Sequence, residues 1–599
     1  MLVRRPQTVT LVILLLASVA SAQEVAPYRD PRRPSAERVR DLLGRMTLEE
    51  KFWQLFMIPG DLDDSSHDYS HGVFGLQISA SALRSGNPAR RHAERINEIQ
   101  RYFVERTRLG IPIIPFEEAL HGFVRDGGTM FPQAIALAAT WDTALMSRVA
   151  GAIARETRTR GVRQVLSPVI NVATDVRWGR VEETYGEDPY LTSVMGRAFV
   201  AQFERAGVVA TPKHFIANVG EGGRDSYPIE VSDRMLEELF YPPFDAAIHD
   251  AGARSVMTAY NSVDGSPATQ SRKLINGKLK GDWRFQGFVI SDAAATGGAT
   301  VLHHTEASTA SAAKDALEAG LDVIFQSSWP QHRPYLDAFK RGLIADSVID
   351  AAVARVLRAK FELGLFERPY VDPDSAALWN GHASHRALAL EAARASIVLL
   401  RNERRTLPLS RRVASVAVIG EDAKEARLGG YSGSGNATVS ILDGIRSKVG
   451  LVRYAPGPGR VTRDHVVVPA SQLSHVDGDH TQPGLAAEYF DTNRLDGEPR
   501  VRRVDSQVDF GWTLNSPARE IPFDWYSVRW TGKLTVPATG VRQLGVEGND
   551  GYRLYLDGAL VVDNWRKQSY GTRTGRCRCG PAPHTTFDWS TSRARATRA

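Results

Sequence analysis

Between about Ser35 and Leu365 the chain alternates short apolar runs with helical patterns. GIPIIPFEEALHG (110–122), VRQVLSPVINVA (162–173), GVVATPKHFIA (207–217), ARSVMTAYN (253–261) and GFVISDAAA (287–295) are the clearest runs, each ending in polar, charged or Gly residues. Continuous apolar runs of that length read as buried strands, whereas TALMSRVAGAIARETRTRG (143–161) and ASAAKDALEAG (310–320) read as amphipathic helices. Strand–helix alternation predicts parallel β/α units. Some 330 residues of it fit a (β/α)8-type barrel better than a shorter open sheet.

The pattern changes three times after that. A polar, Pro-containing stretch near 366–385 looks like a linker, and VASVAVIGED (413–422) like a strand entering a loop, the start of a second α/β unit. Residues 455–484 are Pro/Gly-rich and irregular. From 484 to 565, GLAAEYF, SVRWTGKLTV, VRQLGVEG and YRLYLDGALVVDNW are short alternating runs broken by Gly, Asp and Pro, which predicts an antiparallel β-sandwich. The expected divisions are 23–370 for the barrel, 371–395 for a linker, 396–483 for a partial α/β unit, 484–570 for the sandwich and 571–599 for an irregular Arg-rich tail. Trp512, Trp525, Trp530 and Trp565 read as sandwich core rather than a binding platform.

Composition alters this picture little: 599 residues, 43% hydrophobic and 24% charged, exclude collagen-like, coiled-coil and disordered classes. The formal charge of +6 sits at the two ends, in Arg4–Arg5 and in the six Arg of residues 573–599, leaving a nearly neutral body and no argument for nucleic acid. Both cysteines, Cys577 and Cys579, fall in that tail as C-x-C, so neither a disulfide framework nor a four-ligand zinc site is expected. Arg4–Arg5, the apolar run LVILLLASVA (11–20) and Ala20-Ser21-Ala22 read as an export signal over 1–22, which places the mature protein in the periplasm or outside the cell. No later run reaches about 18 apolar residues, so no membrane association is expected after cleavage.

In a β/α barrel reactive groups stand where strands end. Strand ends supply Glu118 and His121, Lys213 and His214, Tyr260 and Asn261, and Asp292, while the loop VRWGRVEETYGEDPY (176–190) adds Arg180, Glu182, Glu183 and Asp188. Carboxylates, cations and aromatics at one mouth suit a polyhydroxylated ligand, because charged groups hydrogen-bond hydroxyls strongly. Asp292 follows FVIS and precedes small residues, so it reads either as a nucleophile or as a helix cap. Lys213 and His214 are adjacent, and neighbours on a strand face opposite ways, so one of them could be structural. Arg180 reads equally well as a surface salt-bridge partner of the downstream acids. His303, His304 and Glu306 form a weak metal pattern, and YSGSGNATV (431–439) a weak phosphate-loop pattern.

HGFVRDGGTMFPQAIALAATWD (121–142), GRVEETYGEDPYL (179–191), PKHF (212–215), SVMTAYNSVDGSP (255–267) and GDWRFQGFVISDA (281–293) together resemble glycoside hydrolase family 3. LLRNERRTLPLS (399–410), VAVIG and GGYSGSGNATVS look like the start of its α/β-sandwich domain, and 484–565 resembles the protective-antigen-type module that some members carry inserted there. The resemblance implies a β-glycosidase without metal or organic cofactor, with oligosaccharides or aryl and alkyl glycosides as substrates; it says nothing of oligomeric state. It assigns Asp292 as nucleophile and Glu118, Arg180, Lys213, His214 and Tyr260 as residues that hold the sugar. Glu118 stands where many β-glucosidases of the family have Asp, which looks more like the β-xylosidase type. Ala293 stands where an aromatic is frequent. β-D-Glucosides are expected first, β-xylosides or arabinofuranosides next.

The implied mechanism needs a second carboxylic acid. In members with the inserted module it lies beyond the insertion, where this chain has its Arg-rich tail. The N-acetylglucosaminidase branch uses a His–Asp dyad after KHF, but Asn218 stands at that His position. A sugar-binding protein without a complete acid/base pair is therefore the rival from another class. The loss of β-pattern and the run of Arg lead us to expect a frameshifted or misassembled end from about 570, with the C-terminal part missing.

Overall fold

A computed structural model describes residues 26–79, 86–219, 228–410, 412–457, 465–510, 517–518, 520–522, 526–536, 538–548, 550–566, 571–579 and 585–593. The expected signal at 1–22 lies outside the described residues, as do Trp512 and Trp525. No helix among the described residues is long and apolar enough to cross a membrane.

Eight short strands succeed one another around a barrel: Phe56–Pro59, Gly75–Gln77, Phe116–Glu117, Gln164–Val165, Val209–Ala210, Ser255–Met257, Phe288–Ile290 and Ile324–Phe325. Each pairing recorded between them is parallel. Single bonds close the remaining gaps, from Ile114 N to Phe74 O (3.0 Å), Met257 N to Pro212 O (3.1 Å) and Ser291 N to Val323 O (3.0 Å). The strands are buried almost throughout, which is why their sequences run apolar without alternating. Gly75 lies so close to Ile114 O, just ahead of the next strand, that a Cβ would clash with it.

Helices cover the barrel, and their caps explain part of the polar sequence between strands. Asp142 accepts from Ala144 N and Leu145 N, both at 2.9 Å, and starts Thr143–Thr159; Asp188 accepts from Leu191 N at 2.7 Å and starts Pro189–Arg205. Asp188, a candidate for chemistry in the sequence, is thus a helix cap.

The stretch 371–395, expected as a linker, contains two helices, Pro373–Trp379 and Ala383–Ala395, docked on the barrel. Buried Glu156 holds the join, accepting from Thr129 N (2.8 Å), Thr129 Oγ1 (2.7 Å), Gly381 N (3.2 Å) and His385 Nδ1 (2.7 Å). Beyond it the second unit contributes Val416–Ile419 paired in parallel with Val452–Ala455, and the helix Ile441–Arg446. Its apolar run 397–400 is exposed, Ile397 at 77% and Leu400 at 92%.

The sandwich departs from the sequence reading at both edges. It begins with Leu473–Asp477 and His480–Pro483, inside the stretch expected to be irregular, and it continues through the expected tail. Gly571–Cys579 pairs antiparallel with Gly540–Gly548, and Thr585–Arg593 with Tyr526–Leu534 and Gly551–Leu556. Ladder hydrogen bonds need no apolar side chains, and Cys577 and Cys579, two apart, both pack on the sandwich core while the intervening Arg578 faces outward. Trp530 is core, as expected, and its Nε1 donates to Asp505 Oδ2 at 2.7 Å; Trp565 is half-buried.

One buried charge in the barrel wall has no carboxylate among its hydrogen-bond partners. Lys360 donates to Gln54 Oε1 (2.6 Å) and Val73 O (3.2 Å), and burial holds its amine well below the ordinary lysine range. A base whose pKa is lowered by folding makes stability rise with pH. The thermal midpoint of Lys360→Met should therefore gain on wild type as pH is lowered from about 9 to about 6; a pH-independent difference would show that the amine keeps its charge.

Candidate active site

The site lies at the carboxyl ends of the strands. Asp292 stands two residues past Phe288–Ile290 and is 8% exposed. Ala293 N donates to its Oδ1 at 2.7 Å, and His214 Nε2 lies 3.5 Å from its Oδ2. His214 is fixed from behind: its Nδ1 donates to Asn171 Oδ1 (2.9 Å), its backbone N donates to the same oxygen (2.8 Å), and Asn171 Nδ2 donates back to His214 O (3.0 Å). With Nδ1 committed as donor, Nε2 is the nitrogen turned to the carboxylate.

Lys213, 2% exposed, donates from Nζ to Glu118 Oε1 at 2.7 Å. Both Lys213 and His214 enter the site, although adjacent; they lie past the regular strand Val209–Ala210. Burial pushes the Glu118 carboxyl up to about 7 against the pull of the Lys213 ammonium. Burial opposes the Lys213 charge most strongly, but Glu118, Tyr431 and Asp292 together outweigh it and hold the ammonium above its ordinary range. Neighbouring Glu117 is also buried and raised by burial, and it is spent on Arg125 and on Gln77 Nε2 (2.9 Å).

Arg180 does pair with one of the acids downstream, but in the interior and not at the surface. It is buried and binds buried Glu183 through two bonds, Nε to Oε1 (2.8 Å) and a terminal nitrogen to Oε2 (2.7 Å). Tyr260 is buried three residues past Ser255–Met257, and His303 Nε2 donates to its carbonyl at 2.8 Å, which spends a nitrogen of the weak metal pattern. Among the described residues no group of three or more His, Cys, Asp and Glu is placed to hold a metal ion. Asn218, at the position of the dyad His, is buried; most of the following loop lies outside the described residues.

Sequence reasoning missed Tyr431 and Asn171. Tyr431 belongs to the second unit, yet its ring centroid is 5.0 Å from Lys213 Nζ and 6.0 Å from Arg180 Cζ. The signal was an aromatic set in a Gly-rich loop, read there as a weak phosphate-loop pattern and as the start of the α/β-sandwich domain.

A parallel β/α barrel that gathers a buried carboxylate and two buried cation–carboxylate pairs at its strand ends is of the class whose sites are built on that face. Residues 47–359 match the glycosyl hydrolase family 3 N terminal domain, and residues 481–597 match the PA14 domain. The chain belongs to glycoside hydrolase family 3. It is 37% identical over 400 residues to a β-xylosidase of Formosa agariphila, covering 61% of this chain and 55% of that protein. It is 32% identical over 450 residues to a periplasmic β-glucosidase of Salmonella typhimurium, covering 72% and 57%. The chain thus spans little more than half the length of either relative. A β-glucosidase structure from Erythrobacter marinus shares the fold, with a TM-score of 0.68 at 23% identity over 95% of both chains.

The Lys213–Glu118 pair sets a measurable titration. A protonated-carboxyl infrared band, isolated as wild type minus Glu118→Gln, should vanish with a midpoint near 7 as pH rises. Lys213→Met, which removes the opposing cation, should move that midpoint upward; a midpoint in the ordinary carboxylate range would refute the burial argument.

Proposed function

We propose that the protein is a retaining β-glycosidase acting on terminal, non-reducing β-linked sugars, with Asp292 as nucleophile. The observation that carries this is Asp292 itself, a buried carboxylate at a strand end beside His214 and next to the Lys213–Glu118 pair. Asp292 would attack the anomeric carbon, and the bond to the leaving oxygen would break with its electron pair, giving a glycosyl ester. Water then attacks the same carbon, its spare proton balancing the one the departed oxygen takes up, and the Asp292 carboxylate returns. Lys213, His214, Arg180, Glu118 and Tyr260 would hold the sugar hydroxyls. Leaving-group protonation is unassigned among the described residues. An unactivated disaccharide, which needs that proton, is therefore the demanding substrate.

Relatives of both sugar classes support the reading. For the sugar itself, Glu118 favours a pentose over the β-D-glucoside expected first. Its side chain, bonded to Lys213 at 2.7 Å, is one methylene longer than Asp and would crowd the space a hydroxymethyl group needs. A β-xyloside has no such group. We also propose export, supported by the pattern at 1–22; the amino terminus of secreted protein should read from Gln23.

Rates on dinitrophenyl β-xyloside, dinitrophenyl β-glucoside, xylobiose and cellobiose test the proposal. The dinitrophenyl xyloside should turn over fastest, and Asp292→Ala should lower that rate at least about a thousandfold. Glu118→Asp should shift the ratio toward the glucoside by about tenfold, the scale of one methylene in a pocket. Binding of these sugars without turnover of any would favour the sugar-binding rival.

A further inference from the structure

The proposed subsite is closed from outside the barrel. Residues 428–436 of the second unit lie across the mouth as a strap. Gln133 Nε2 donates to Leu428 O (3.2 Å) and Gly430 O (3.0 Å), Gly430 N donates to Glu182 Oε1 (3.2 Å), and Ser434 Oγ donates to Asp126 Oδ1 (2.9 Å). The approach is close: a Cβ on Gly433 would stand 3.0 Å from Arg125 O. Tyr431 sits between pinned neighbours with φ +49°, a left-handed backbone that a bulky residue adopts only where its surroundings impose it.

His121 is the buried end of this arrangement. Its Nδ1 lies 2.8 Å from Phe131 O, and its Nε2 lies 3.1 Å from Gly430 O and 3.1 Å from Ser432 Oγ. Both ring nitrogens thus face carbonyl oxygens, whereas a neutral imidazole has one N–H. With Nδ1–H of the neutral ring donating to Phe131 O, Nε2 accepts, and the Ser432 hydroxyl is the neighbour able to donate to it; the other acceptor within reach of that hydroxyl, Leu428 O at 3.0 Å, is supplied by Gln133 Nε2. The Gly430 carbonyl is supplied separately by Gln133.

We propose that the His121–Ser432 hydrogen bond is a latch for the strap, and that Tyr431 is a positioning residue acting through Lys213. The π face of its ring, 5.0 Å from Nζ, holds the ammonium in line with Glu118 and closes the space above Arg180. The latch residues are remote in the chain from one another, so a barrel-borne subsite depends on the second unit for its final shape. This inference rests on the proposed sugar-holding role of Lys213.

The test has two arms on the full chain. Hydrogen exchange of the 428–436 peptide should quicken by about fivefold or more in Ser432→Ala and in His121→Phe, with barrel-strand peptides unchanged, and Ser432→Thr should restore protection. Equal exchange in wild type and Ser432→Ala would overturn the latch. On the dinitrophenyl xyloside, Tyr431→Phe should stay within about twofold of wild type, while Tyr431→Leu, apolar but without a π face, should raise KM by about tenfold with a smaller change in kcat. Equal KM values for Phe and Leu would overturn the role of the ring. The exchange arm needs no turnover: a wild type silent on every glycoside would sink the proposed activity and leave the latch to be judged by exchange alone.

Discussion

The site is organised around one buried ion pair, Lys213 to Glu118 at 2.7 Å. Neither charge could stand alone at that depth. Desolvating one ion costs several kcal/mol in real proteins, and removing one partner of a buried pair costs about 3–5 kcal/mol because the other is left uncompensated. The pair joins the ends of the third and fifth barrel strands, so it constrains the mouth as well as its chemistry. It sets the range in which Glu118 can ionise, it brings a cation near Asp292, and it gives Tyr431 a charge to lie over. Such pairs are weak evidence for stability. The gain here is definition: a donor and an acceptor held side by side where a hydroxylated ring would sit.

Support for that pair comes from residues that touch no reacting group. Asn171 turns the Nε2 of His214 toward Asp292, and Glu183 holds Arg180 by two bonds. Glu156 ties the helices after the barrel to its wall. Those helices lead the chain back toward the mouth, which is how a loop some 200 residues past Lys213 comes to cover it.

Much of this was legible in the sequence. Buried parallel strands run apolar without interruption, so their ends could be found and the polar residues there picked out, among them Glu118, Lys213, His214, Tyr260 and Asp292. Pairing between those residues was not legible. Whether Arg180 faces water or Glu183 in the interior depends on loop geometry that no periodicity reports. Tyr431 was hidden because its partners are far away in the chain. The strand Gly571–Cys579 was hidden for another reason: its residues are small or carry long charged stems, and only Cys577 and Cys579, two apart, mark the face turned inward. Ladder bonds impose no composition.

The pairing of charges at the mouth bears on how a ligand arrives. Lys213 is matched by Glu118, Arg180 by Glu183 and Arg125 by Glu117. Matched charges cancel at a distance, so these three pairs add little net field in solvent. A neutral sugar would feel none in any case. Encounter would then be governed by diffusion and shape, indifferent to salt, with the charges making themselves felt only across a hydrogen bond's length.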